Sequence, residues 1–207
     1  MIQSRLVRAA EADQVKAFDL GPGNMLIDGA VVRFSGGGER YDRDGRRAAA
    51  GQVDPDLLAR LMSHDFLQLS PPKSTGREEF GEEFLKALLQ QTGLSADDLL
   101  ATLTAFTAAA IVDGINRFVL PEVQMDELWI SGGGVHNLYL VQLIEAGLPG
   151  LQVASLEGLG YSPDAREALT FAVLANETLM GHAGNLPSAT GACTRAVLGK
   201  VVLGHIF

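Results

Sequence analysis

The stretch AFDLGPGNMLID, residues 17–28, decides the reading of this chain. Apolar residues with strand spacing lead into Asp19. Gly21, Pro22, Gly23 and Asn24 follow at once, and an apolar run with helical spacing begins at Met25. A strand that breaks into glycines and reopens as a helix aims several backbone N–H groups at one point. The helix dipole adds positive potential there. Such a nest suits a phosphate. A tight turn explains the same letters, and a lone G-x-G does not choose between the two. The dinucleotide fingerprint needs a third glycine where Leu26 stands, so that reading is poor. Asp19 is a turn or capping residue, or a base placed to take a proton beside the phosphate.

Working outward, residues 15–19 read as a short strand and 24–34 as a helix with Asn24 as its cap. Residues 35–53 are rich in glycine and charge and read as loop. A short helix spans 54–62, with Asp54 as cap and Pro55 at its first position. PPKSTGREEF, residues 71–80, is a loop leading into a helix that runs to about 91. The clearest helix is about 96–119, where Ser95 and Asp98 resemble a capping box and Pro121 ends the run. Strands follow at 126–131 and 151–156, separated by GGG and a helix to Gly147. A last helix covers about 163–180, capped by Ser162 with Pro163 next, and a terminal strand is expected at 197–203. Alternating strands and helices mean an α/β domain, with ligands at the edge where strands enter glycine turns.

Ser131-Gly132-Gly133-Gly134 with Asn137 repeats the strand–glycine–helix theme. Three glycines let a flat ligand lie against the backbone, and Asn137 offers both a donor and an acceptor; a sharp turn with a solvent-facing Asn is the alternative. Lys73-Ser74-Thr75-Gly76-Arg77 has letters of a phosphate loop in the wrong order. Lys73 and Arg77 are basic groups for an anionic ligand, or parts of a solvated loop.

The 207 residues are enough for a real core, and 47% hydrophobic with 20% charged residues fits a globular protein. A net charge of −9 argues against holding a nucleic-acid backbone. Residues 1–14 lack the apolar core of a secretory signal, and no uninterrupted apolar run of about 18 residues predicts a membrane span. One cysteine, Cys193, forms no intrachain disulfide and reads as a small packed thiol. The four histidines are scattered without zinc-ligand spacing. No metal ligand is assigned, and a cytoplasmic location is expected.

Taken together, AFDLGPGNMLID (17–28), PPKSTGREEF (71–80), WISGGGVHN (129–137), EALTFAVLANETLMG (167–181), NLPSATGA (185–192) and LGK (198–200) resemble one family, anhydro-N-acetylmuramic acid kinase. The resemblance covers about residues 16–207. It implies an actin-like ATPase (ribonuclease H-like) fold of the sugar kinase, Hsp70 and actin superfamily, here a C-terminal lobe with a mixed sheet flanked by helices. It implies ATP and Mg2+ as cofactors and an anhydro amino sugar as substrate, in peptidoglycan recycling. Asp19 is similar to the family's water-activating aspartate. Gly21, Gly23 and Asn24 then form a phosphate loop, Gly132, Gly133, Gly134 and Asn137 the adenosine side, and Lys73, Arg77 and Glu177 sugar contacts. The family's first phosphate loop, G-T-S-x-D-G, has no match here. Residues 1–15 diverge, so a single C-terminal lobe is expected, working as a homodimer or with an N-terminal lobe supplied in trans. The alternative is a non-catalytic remnant that binds nucleotide weakly or only dimerises.

Overall fold

The computed structural model describes residues 15–160, 162 and 165–202. Helix α1 is Met25–Phe34. A short 3-10 turn, Arg43–Gly45, leads into α2, Arg46–Ala50. Three short helices follow: α3, Pro55–Met62; α4, Asp65–Gln68; and α5, Arg77–Phe80. They are succeeded by α6, Glu82–Gln91, and α7, Ala96–Phe118. Strand β1, Glu127–Ile130, α8, Leu138–Gly147, and β2, Gln152–Ser155, complete the body. The C-terminal part holds α9, Arg166–Met180, and α10, Pro187–Thr190.

Helix α7 organises everything else. Ser95 starts it: its Oγ accepts from the Asp98 amide at 3.1 Å and donates to Asp98 Oδ2 at 2.7 Å, so the expected residue pair caps the helix. The helix is buried on most of its surface, from Leu99 to Ile115. By length and composition it could cross a membrane, yet 72% of its apolar window is packed inside the protein, which marks a core helix. One flank holds a cluster of Leu26, Ile27, Val31, Phe80, Leu103 and Phe106. Phe80 is fully buried and meets the rings of His64, Phe66, Phe84 and Phe106. Removing a side chain of that size from water contributes about 2–3 kcal/mol. The other flank holds Ile115, Leu128, Ile130, Leu140 and Ile144.

β1 and β2 pair in parallel, Glu127 with Gln152 through Ile130 with Ser155, and α8 makes the crossover. Leu128 and Ile130 are buried while Glu127 is exposed, the alternation of a strand with one covered face.

Several expectations need correction. Residues 15–19 form no strand. The Asp19 amide bonds instead to the Lys73 carbonyl at 3.0 Å, a single bond where a strand needs a ladder. The sheet is two-stranded and parallel among the described residues, not mixed. Residues 46–50, within the segment expected as loop, form α2, whose first turn is held where the buried Asp42 carboxylate accepts from the amides of Arg47 and Ala48 at 3.1 and 2.9 Å. The helix after the glycines starts at Leu138, since Gly133–His136 is a 3-10 turn. Helix α9 begins at Arg166 with Ala165 as its cap, not at Ser162; Pro163 lies outside the described residues. Residues 197–202 form no strand, and Leu203 and residues 1–14 lie outside the described residues. Cys193 is exposed rather than packed.

Candidate functional site

Residues 20–24 are laid along one face of α7. Gly114 opens space for Leu20: a Cβ there would meet Leu20 Cδ2 at 2.4 Å, so only a glycine lets this side chain lie so close. One turn back, Ala110 lies under Gly21, where an added Cβ would sit 3.1 Å from the alanine Cβ. One turn further, the buried Thr107 hydroxyl donates to the Gly23 carbonyl at 3.0 Å. Positions 107, 110 and 114 share a helix face, so α7 fixes the turn from below. Gly23 has φ 57° and open space beside it.

The same loop brings the second glycine turn alongside. Asn24 was expected to cap α1, but its side chain makes no cap hydrogen bond. It lies against the other turn instead: a Cβ on Gly134 would be 3.2 Å from Asn24 Oδ1, and one on Gly133 would be 4.0 Å from Asn24 Nδ2. Gly132 has φ 81° with nothing within 4 Å of a Cβ built on it, a conformation that favours glycine. Asn137, placed with this turn, is buried, and its Oδ1 accepts from the Leu140 amide at 3.0 Å, capping α8.

Asp19 stands where the first loop begins, held by the 73–75 loop. Ser74 Oγ and the Thr75 amide both donate to Asp19 Oδ2 at 2.9 Å. Thr75 Oγ1 is buried without a hydrogen-bond partner among the described residues. Lys73 is not a solvated cation. It is buried, and its Nζ donates to the carbonyls of Phe66 and Leu67 at 3.2 and 3.4 Å and lies over the Phe66 and Phe118 rings. Loss of hydration pushes its pKa down, and the nearby Arg117 adds to the fall. Lys73 therefore closes the end of α4 and anchors the loop that grips Asp19. Arg77 is exposed at the start of α5. Glu177, on α9, meets its own neighbours: Asn176 Nδ2 donates to Oε1 at 3.3 Å and His182 Nδ1 lies 3.1 Å from Oε2.

Four residues are not placed by a reading of motifs. Thr107 carries a signal, a hydroxyl inside an apolar helix, but its partner is 84 positions away. Ser74 and Thr75 are visible as letters, while their bonds to Asp19 span 55 and 56 positions. Asp28 lies one helical turn beyond Asn24, and burial pushes its carboxyl up to about 6. Among the described residues, no three His, Cys, Asp or Glu side chains gather as a metal site.

The family model described as anhydro-N-acetylmuramic acid kinase matches residues 4–204. Curated proteins of that name are similar over almost the whole chain. The protein from Caldanaerobacter subterraneus subsp. tengcongensis is 42% identical over 201 residues, covering 96% of this chain and 51% of its own length. The Clostridioides difficile protein is 44% identical over 195 residues, covering 94% and 50%. The Salinibacter ruber protein is 44% identical over 199 residues, covering 95% and 50%. The chain spans about half the length of the curated relatives it matches.

Proposed function

The chain belongs to the anhydro-N-acetylmuramic acid kinase family, and from that premise we propose that it takes part in ATP-dependent phosphorylation of 1,6-anhydro-N-acetylmuramic acid. In this reading the product is N-acetylmuramic acid 6-phosphate, the setting is cytoplasmic recycling of peptidoglycan, and the fold is the C-terminal lobe of an actin-like ATPase. One observation carries the proposal: Asn24 packs against Gly133 and Gly134, so the turns that hold the open Gly23 and Gly132 lie side by side, and Asp19 is held where the first turn begins.

Each residue then has a task. Asp19 accepts a proton from the water whose oxygen bonds to the anomeric carbon. The bond from that carbon to O6 breaks, and O6 takes the γ-phosphoryl group as ADP leaves. A positioned base contributes about 10²–10⁴-fold to such a step. Gly21, Gly23 and Asn24 present backbone to phosphates. Gly132 to Gly134 leave room for the adenosine, with Asn137 fixing the start of α8 behind them. Phosphoryl transfer depends mostly on positioning and charge neutralisation. Mg2+ travels with the phosphates in this scheme. Arg77 and Glu177 remain proposed sugar contacts, while the role of Lys73 is to brace the 73–75 loop.

The apolar face of α9 favours a second reading beside catalysis. Leu169, Val173 and Met180 are exposed together on one side of it, as expected of a surface that meets another copy of the chain.

The test is phosphoryl transfer from radiolabelled ATP to the anhydro sugar. It is run with the purified chain alone and with the N-terminal half of a full-length relative supplied in trans. Labelled N-acetylmuramic acid 6-phosphate in either arm supports the proposal, and none in both overturns it. A chain that transfers nothing but sediments as a dimer fits the second reading.

A further inference from the structure

We propose that Ser74 and Thr75 are positioning residues that fix the rotation of the Asp19 carboxylate, occupying Oδ2 so that Oδ1 is the atom that receives the proton. The inference rests on Asp19 as the base.

Three contacts define the grip. The Asp19 amide donates to the Lys73 carbonyl at 3.0 Å, which sets the two backbones side by side. Ser74 Oγ and the Thr75 amide then both reach Oδ2, each at 2.9 Å. No hydrogen bond from the described residues goes to Oδ1. A carboxylate on a free Cβ–Cγ bond presents either oxygen equally, because that torsion is broad and roughly two-fold. Two donors on one oxygen remove the equivalence. They spend the lone pairs of Oδ2 and leave Oδ1 as the unshared acceptor. The loop is itself braced: Lys73 Nζ is bound to two carbonyls of α4 and buried against Phe66 and Phe118. A base held this way needs no reorganisation when the water arrives.

Two measurements test the proposal. In nitrogen-15 spectra of the 207-residue chain, the Thr75 amide should shift as pH is lowered and the carboxylate beside it gains a proton. Asp19→Asn should abolish that shift. A Thr75 amide indifferent to both overturns the grip. Turnover is then read in whichever arm of the kinase assay is active. Ser74→Ala should lower kcat about tenfold, the size of one hydrogen bond to a charged group, with the KM for ATP unchanged. Ser74→Thr, which keeps the hydroxyl, should restore it. In an Asp19→Asn background, Ser74→Ala should cost nothing further, because it acts through Asp19. An unchanged kcat in Ser74→Ala, a loss in KM alone, or additive losses overturn the proposal. If Asp19→Asn turns over at the parent rate, the base assignment falls and takes the proposal with it. That failure is recognisable because the amide shift is still seen.

Discussion

A Cβ added to Gly21 would press on Ala110 at 3.1 Å and meet Leu67 at 3.7 Å, while one added to Gly132 would meet nothing within 4 Å. The two glycine turns look alike in sequence and are built for different reasons. In the first, Gly21 is packed on α7, while Gly23, whose carbonyl accepts from Thr107, has φ 57° and open space beside it. The second is glycine because of its backbone angle and the open space above it, with Asn24 as its near neighbour. Space around a glycine is the informative quantity. A filled glycine serves the fold, and an open one leaves backbone for something outside the chain. Substitutions on each side of that divide should separate loss of fold from loss of binding.

The largest effect is expected at Asp19, where the packed turn begins. Asp19→Asn keeps the shape and removes the proton acceptor, so turnover should fall by about 10²-fold or more while the melting temperature and ATP affinity stay close to the parent. Steady-state kinetics beside a thermal melt gives the answer. Turnover near the parent rate would leave the packed turn with a structural role only.

The comparison also shows what can be read from letters. Helices α3 and α7 follow from their caps: Asp54 accepts from the Leu57 amide at 2.7 Å, and Ser95 Oγ accepts from the Asp98 amide at 3.1 Å. β1 and β2 lie within the strands expected at 126–131 and 151–156. The segment before Asp19 misleads for a physical reason. Alternation predicts that residues 15–19 suit a strand, but a strand exists only through its partner, and among the described residues β1 pairs with β2 alone. Arg46–Ala50 misleads in the opposite direction, since its first turn is held by the buried Asp42 rather than by any apolar period. At the site, both glycine turns and Asp19 are legible. Their closeness is not, because it comes from Thr107, Gly114 and the 73–75 loop, all distant in sequence. Lys73 shows the same limit. Its charge suggests a ligand contact, and only tertiary structure reveals that its ammonium is spent on carbonyls.

Next in size is Gly21→Val, which attacks the packed turn as structure. The added branches have no room beside Ala110 and Leu67, and overpacking of this kind costs about 2–3 kcal/mol. Urea unfolding should show a lower midpoint with an unchanged slope. A midpoint equal to the parent's would place Gly21 among the open glycines and break the distinction.

Asp28 sharpens the comparison through charge, because burial raises its carboxyl pKa from the ordinary 3.8 to about 6. The folded state therefore holds a proton that the unfolded state has released. Stability contributed by this group is present below about 3.8, declines as pH rises through about 6, and is flat above. Asp28→Asn should remove that slope and raise stability at pH 7 by about 1–2 kcal/mol, a figure discounted for partial contact with water. Urea midpoints at pH 4 and pH 7 test it. Parent and variant showing the same pH dependence would mean that Asp28 is not desolvated.

The smallest change in stability is expected at Gly133→Val, on the open turn. The nearest atom to an added Cβ is Asn24 Nδ2 at 4.0 Å, and Gly133 is not among the glycines of positive φ. A valine there therefore needs neither a forbidden backbone nor displaced core atoms. The melting temperature should stay within the change expected of an ordinary surface substitution, about 0.5 kcal/mol. Any molecule lying flat on the turn would, however, meet two methyl groups where it had backbone. ATP affinity, measured by titration calorimetry on chain that has passed the melt, should fall while the fold is intact. Gly21→Val reverses the order, losing stability first. If Gly133→Val binds ATP as the parent does, open space on this turn does not mark a nucleotide surface. If it unfolds, the turn is as packed as its neighbour, and the divide between filled and open glycines fails here.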